Sequence, residues 1–462
     1  FAESSGKPVY VPSHEAILGN YKLSMVGKDT KKKYSNPGQV MDAAQRGEIK
    51  HDDVVHLNGK PTTAGRILLA TALPQPMQQN ILHNLDHRLD AKGLTNLLAQ
   101  VGKDHKADYD KTVNRLKDLG NHSSYGLVPV PLPNVGINNI TDPKKNVYIP
   151  TGAHTLSLKD FAPERELRDK HLAEAEAYVA KVKADKKLDQ AAKDSKTVAA
   201  YLAADKRMKD EHFSTADERN NNLLLMANAG IKPGWAQYKQ LRIAPLLYQD
   251  AAGKVIPHAV KKTFSEGVDL ADYWTHMHGA RRGTVMRTQE TRDPGYMSKL
   301  IMNTMMDTLV TDHDCGTNRG ISMHIGEKDI HDRVLAHDFK AGQVHIKAGT
   351  TVTPDIIGQV RSVDKDAKLV VRSPLKCEHG KGICQKCAGL SSSGDFHPIG
   401  TNIGVIATQT LGERATQLPM KEFHTGGSAG AGSSLVNSFT RLEQLMTLPK
   451  KVPTSATIAM TT

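Results

Sequence analysis

Apolar positions recur with helical spacing along most of this chain and with strand spacing in only one stretch. Between residues 80 and 120, Ile81, Leu82, Leu85 and Leu89 fall on one face, and Leu94, Leu97 and Leu98 follow. That spacing predicts helices with one buried stripe. Upstream, residues 1–80 mix turn-rich segments with a short helical pattern around GQVMDAAQRGEI, then reach TTAGRILLATALP. Five prolines between Pro129 and Pro150 make residues 121–155 read as loop. From Leu158 to Arg219, Ala, Lys, Glu, Asp and Leu dominate, which predicts a long, largely solvated helical hairpin. Residues 220–262 alternate helical pieces with Gly230, Pro233 and Gly234, and Lys232 stands in the loop between them.

The stretch 263–296 is helical in pattern, yet its second half has almost no apolar stripe. His278, Arg281, Arg282, Arg287, Thr288, Thr291 and Arg292 lie all round it. A helix polar on every side crosses open space more readily than it fills a core. Asp269 to Gln289 would span on the order of 30 Å, and Gly279 and Gly283 make it bendable. After it, residues 297–310 form an apolar pattern (Leu300, Ile301, Met305, Leu309) expected to be core. VLAHDF, GQVHIKAG and KLVVRS then read as strands.

Composition narrows the class. Lys+Arg 61 against Asp+Glu 49 gives a net charge of +12, which favours an anionic partner such as nucleic acid. Aromatic residues are 5%, too few for stacking platforms to be the main mode of binding. No apolar run is long enough to span a membrane, and the N-terminus lacks the layout of a secretory signal. Four cysteines are too few for a disulfide framework at this length, so a reducing, cytoplasmic setting is expected.

Those cysteines carry chemistry. Cys315 stands alone, and CEHGKGICQKC supplies Cys377, Cys384 and Cys387. A CxxC pair lets two thiolates hold one metal, and Gly380 and Gly382 allow the turn that brings Cys377 in. Four thiolates complete tetrahedral Zn²⁺ with no open position, so the expected role is structural. A redox CxxC pair is the alternative. A second constellation lies in 401–434, TNIGVIATQTLGERATQLPMKEFHTGGSAGAGSS, where Gln417, Met420, Lys421 and His424 sit between glycine- and proline-rich hinges. An amide, a thioether, a cation and an imidazole suit a lid that closes on a base, a sugar and phosphates.

Taken together, three blocks resemble the C-terminal half of the largest catalytic (beta-prime) subunit of multisubunit DNA-directed RNA polymerases. EGVDLADYWTHMHGARRG…TRDPGY with DCGTNRGI is similar to that family's bridge helix, CEHGKGICQKCAGL to its zinc cluster, and GVIATQTLGERATQLPMKEFHTGG to its trigger loop. Weaker echoes extend the match over roughly residues 60–460. The resemblance implies two-metal nucleotidyl transfer, in which an RNA 3′-hydroxyl attacks a nucleoside triphosphate. Met420 would pack on the base, Gln417 would sense the ribose, and Lys421 and His424 would reach the phosphates. Thr291, Arg292, Gly295 and Tyr296 would lie near the template base. Arg281 and Arg282 would lie near the helix's anchoring half, Arg287 on its nucleic-acid face, and Lys232 on the substrate-access side.

The implied fold is mixed α+β and multi-module, mostly helical with a small β-rich zinc-binding module, within a larger polymerase. Its expected modules are a turn-rich region (1–80), a helical and Pro-rich connector (81–157) and a rim-like hairpin (158–219). A loop and helix region (220–262), the bridge helix (263–296) and the zinc module (297–400) follow, then the trigger loop (401–434) and an anchoring segment (435–462). The family's NADFDGD loop does not occur in these residues, so catalytic Mg²⁺ would be held mainly by aspartates on another chain or upstream of Phe1. The expected partners are the subunit with that triad, beta-like subunits, a promoter-specificity subunit, DNA template, RNA transcript and NTPs, with no membrane. A split largest subunit of the giant-bacteriophage type, acting in infected host cytoplasm or carried in a virion, is the expected setting. Lys421 stands where the family has Arg, Pro419 and Glu422 replace small hydroxyl residues, and Pro294 is expected to kink or end the bridge helix. Lys421, Pro419 and the missing triad support one alternative, a non-catalytic zinc-stabilised scaffold that binds nucleic acid. GGSAGAG as a phosphate loop is disfavoured, because no strand precedes it and no Lys-Ser/Thr follows it.

Overall fold

The computed structural model describes residues 7–130, 148–250, 254–285 and 291–423. They divide into two compact units, one centred on residues 7–283 and the other on 284–424. The fold is mixed α+β and mostly helical, with small separate sheets. Among the described residues, no helix is long and apolar enough to cross a membrane.

The first unit opens with α1 (Glu15–Ser24), β1 (Asp29–Tyr34), α2 (Pro37–Gln45), β2 (Val54–Leu57), β3 (Lys60–Thr62) and α3 (Ala64–Thr71). β1 pairs in parallel with β2, and β2 antiparallel with β3. The turn-rich region expected at 1–80 is therefore a packed body. Its strand DTKKKY lacks apolar alternation because it is exposed at the sheet's edge, with only Thr30 and Tyr34 partly covered.

Next come α4 (Gln75–His83), α5 (Ala91–Asp104), α6 (Tyr109–Tyr125), β4 (Leu127–Pro129) and β5 (Tyr148–Pro150). They close a core that includes Val40, Met41, Ile67, Leu68, Leu94, Leu98, Leu116 and Ile149. α1 crosses α6 at two glycines. A Cβ on Gly19 would lie 1.7 Å from the carbonyl oxygen of Gly120, so nothing larger permits this approach.

Arg66, in the TTAGRILL motif, is completely buried. Its guanidinium donates to the carbonyls of Ser24, Ile81, Asn84, Leu85 and His87 at 2.6–3.1 Å. Carbonyl dipoles thus replace water around a cation that has no carboxylate ion pair among the described residues.

The Ala/Lys/Glu run folds as α7 (Arg165–Ala184) and α8 (Gln190–Thr215). Their inner face joins α9 (Asn222–Ala229) and α10 (Trp235–Arg242) around Leu172, Val179, Tyr201, Met208 and Tyr238. Glu164 fastens the base of the hairpin, accepting from Tyr238 Oη at 2.7 Å and pairing with His212 Nδ1 at 2.8 Å and Arg242 at 3.1 Å. α11 (Leu270–Val285) follows, most of it in this unit.

The second unit begins with α12 (Thr291–Met305) and continues with β6 (Val310–Asp312), β7 (Ile321–His324), β8 (Phe339–Ala341), β9 (Val344–Ile346), α13 (Pro354–Val363) and β10 (Lys368–Val371). β11 (Ile383–Cys384), α14 (Gln385–Ala388) and α15 (Ile403–Phe423) complete it. β7 and β10 pair antiparallel over a small core of Ile325, Leu335, Val352, Ile357, Val360 and Leu369.

Two expectations need correction. Pro294 does not end its helix. It lies inside α12, which runs on to Met305. Nor is 297–310 core, since Leu300 is 42% exposed and Met305 37%. Among the described residues α15 is the main element packed against this helix, and its apolar positions are too many for one neighbour to bury.

Candidate metal centre and active-site segments

Short backbone pieces bring the cysteines together. β6 pairs in parallel with β11, which sets Cys384 beside Asp312 and places Cys315 three residues beyond that strand. Gly382 takes φ +86°, and a Cβ there would lie 2.5 Å from the Leu309 carbonyl oxygen, so glycine is required at this turn. Cys384 caps the short helix α14, its Sγ accepting from the Cys387 amide at 3.4 Å, while Cys377 Sγ accepts from the Cys384 amide at 3.4 Å. The four Sγ atoms all lie within 4.8 Å of one another, with Cys315 and Cys387 3.7 Å apart.

That donor set fits a soft tetrahedral metal and is compatible with zinc. Cys384 and Cys387 are buried, which leaves no open coordination position toward solvent on that side. Burial pushes the Cys315 thiol up, but donation from the amides of Thr317 and Glu378 and from the neighbouring thiols outweighs this and brings it down to about 6. Burial pushes Cys387 up. His379 stands outside the sulfur cluster, 3.7 Å from Asp312.

Three charged residues around the sulfurs were not anticipated. Arg372 Nη2 lies 3.0 Å from Cys315 Sγ, 3.4 Å from Cys387 Sγ and 3.5 Å from Cys384 Sγ. Its Nη1 donates to Asp314 Oδ1 at 2.7 Å, and Lys386 Nζ donates to Asp314 Oδ2 at 2.7 Å. Asp314 is the bridge between two cations, which hold its carboxyl well below the usual range against the upward push of burial. A basic residue closing the apolar strand KLVVRS, five positions before Cys377, was the only signal in the chain.

The same strand pair anchors the helices on either side. The Val310 amide donates to Thr401 O at 2.9 Å and the Gly400 amide to Val310 O at 2.8 Å, so the start of α15 is tied to β6. Asn402 caps α15 through the Val405 amide at 2.9 Å and donates to Met306 O at 2.5 Å. α15 then runs against α12. A Cβ on Gly404 would lie 1.9 Å from Met305 O, and one on Gly412 would lie 2.5 Å from Ser298 Oγ.

The remaining expected site residues fall as follows. Gln417, Met420 and Lys421 lie on the last turns of α15, which stays helical through Phe423 and so includes Pro419. Their side chains, that of Thr291, and all of Arg287 and His424 are outside the described residues. Arg292 is exposed beside Asp293, and Gly295 and Tyr296 are exposed one turn further along α12. Thr291, Arg292, Gly295 and Tyr296 are thus brought onto one helix. On α11, Arg281 is exposed but Arg282 is buried. Lys232 is exposed in the loop before α10.

Residues 267–461 match the family described as RNA polymerase Rpb1, domain 5. Along nearly its whole length the chain is also similar to DNA-directed RNA polymerase subunit beta′. The protein of that name from Fusobacterium nucleatum subsp. nucleatum is 29% identical over 460 residues, covering 94% of this chain and 32% of the relative. The one from Rubrobacter xylanophilus is 27% identical, covering 92% and 34%, and the one from Clostridium novyi 26%, covering 96% and 38%. The chain spans about a third of the length of these relatives. These matches support a β′-like RNA polymerase fragment.

Proposed function

We propose that this chain works within a DNA-directed RNA polymerase, supplying a bridge helix from 263–296 and a trigger loop from 401–434 to template-directed nucleotidyl transfer. The observation that carries the reading is the match of residues 267–461 to one polymerase family, because that span holds the cysteine centre, α12 and α15 in continuous order. α15 supports the trigger-loop role by its build: a helix rooted on β6 that carries Gln417, Met420 and Lys421 toward its far end and leads into His424.

In this reading Met420 packs on the incoming base and Gln417 meets its ribose, while Lys421 and His424 contact the phosphates. Phosphoryl transfer depends mainly on positioning and charge stabilisation, which these groups provide. Arg281, Arg287, Thr291, Arg292, Gly295, Tyr296 and Lys232 line the path of nucleic acid and substrate. The four cysteines hold structural Zn²⁺. Catalytic Mg²⁺ is held mainly by aspartates outside these residues, and activity requires the assembled complex of polymerase subunits, DNA template, RNA and NTPs, in the cytoplasm of a host cell.

The test is single-nucleotide addition by the complex assembled on a nucleic-acid scaffold. His424→Ala and Lys421→Ala each slow addition by about 10²-fold or more, in the range of a lost acid–base or charge-stabilising group, with assembly retained. Wild-type addition rates in both variants would refute the trigger-loop role.

A further inference from the structure

Four thiolates around one divalent cation leave an excess of negative charge, and here two of the sulfurs belong to buried residues. Excess charge held away from water is costly unless other groups offset it. The backbone amides of Cys384 and Cys387 each reach one sulfur, at 3.4 Å. Neither brings a full positive charge.

Arg372 does, and its placement is specific. Its side chain is 6% exposed, and one terminal nitrogen stands within 3.0–3.5 Å of Cys315, Cys384 and Cys387 together. The other terminal nitrogen is fixed by Asp314, which Lys386 and the Gly316 amide hold in turn. The backbone of Arg372 is tied too, donating to Val334 O at 2.7 Å. The guanidinium is thus aimed from both ends at one face of the sulfur cluster. A lysine, a single point charge, could not serve Asp314 and three sulfurs at once.

We propose that Arg372 is a working part of the metal centre, a guanidinium that donates to three of the four thiolates and thereby sets how tightly the centre retains zinc, with Asp314 as its positioning residue. The inference rests on the reading of the cysteines as a zinc site. By drawing electron density from the sulfurs, Arg372 also makes them poorer targets for protons and oxidants that would release the metal.

The test uses the full-length chain loaded with zinc and challenged with excess chelator. In parallel, cobalt(II) replaces zinc and the thiolate-to-cobalt charge-transfer band is recorded. Arg372→Gln is expected to release zinc about 10–100-fold faster, as loss of a group that supports metal ligands does. Arg372→Lys falls between it and wild type, and Asp314→Asn gives a smaller acceleration. Removing the N–H···S donors moves the cobalt band of Arg372→Gln to lower energy. Wild-type release and an unshifted band in both Arg372 variants overturn the proposal. Faster release with an unshifted band also overturns it, because that outcome assigns Arg372 to packing alone. If Arg372→Gln does not fold, Asp314→Asn decides, and wild-type release with an unmoved band sinks the idea. A wild-type chain that binds no zinc removes the zinc reading and this inference together, whereas zinc held equally by wild type and variants removes only the role of Arg372.

Discussion

Arg66 and Lys22 are both buried cations with no carboxylate ion pair among the described residues, and they differ in how fully the backbone replaces water. Arg66 has five carbonyls, while Lys22 Nζ has two, Gly152 O at 2.5 Å and Ser123 O at 3.5 Å. Burial pushes the Lys22 ammonium down to about 8 and the Arg66 guanidinium down to about 10. The unfolded chain, with an ordinary lysine, then binds more protons than the folded one between about pH 8 and 10.5, so stability rises with pH across that window. Urea unfolding at pH 7 and pH 9.5 should show wild type gaining about 2 kcal/mol relative to Lys22→Met, and equal differences at the two pH values would refute the depressed pKa. Neither cation's environment could be read from the chain. TTAGRILL shows an arginine within an apolar run, but the carbonyls that receive it come from Ser24 and the 81–87 segment. The cysteines were legible for the opposite reason, because a CxxC pair carries its geometry in its spacing, while Arg372 and Asp314 join them only through the strand pairing.

Among elements, the contact of α12 with α15 turns on close approach more than on apolar burial. Gly404 meets the Met305 carbonyl, a backbone group that cannot rotate away, whereas Gly412 meets only the Ser298 side chain. Gly404→Ala should therefore destabilise the second unit by about 1–3 kcal/mol, the usual cost of overpacking, and Gly412→Ala by less. Chemical denaturation of the two variants measures this, and equal stability for both would show that the helices slide apart at no cost. Helical periodicity revealed that both elements exist. It could not reveal that Leu300 and Met305 lie exposed, because an apolar face on a helix does not say whether its own chain or another covers it. The Lys-rich strand β1 failed in the reverse direction, since an edge strand covered only at Thr30 and Tyr34 carries no apolar alternation to detect.

For the molecule as a whole, the class was legible because helix-forming composition and the single strand-rich stretch near the cysteines are long-range averages that single contacts do not overturn. α11 shows what such averages leave out. Its covered face is polar, with Asp272, Thr275 and Arg282 buried and Asp272 paired with His258 at 2.8 Å. Its outer face carries Leu270, Tyr273, Trp274 and Met277, exposed by 76%, 52%, 58% and 43%. A helix with its apolar side outward is stable in water only at a cost, and the proposed polymerase assembly would relieve that cost by covering it. The chain has two tryptophans, and the other, Trp235, is packed against Phe213 and Tyr238, so Trp235→Phe leaves Trp274 as the sole reporter. Its emission should move to shorter wavelength when the variant joins the partner subunits and nucleic acid, because indole leaves water. An unchanged spectrum in a complex shown to have assembled would mean that this face of α11 stays wet, and the bridge-helix reading would then lose its physical rationale.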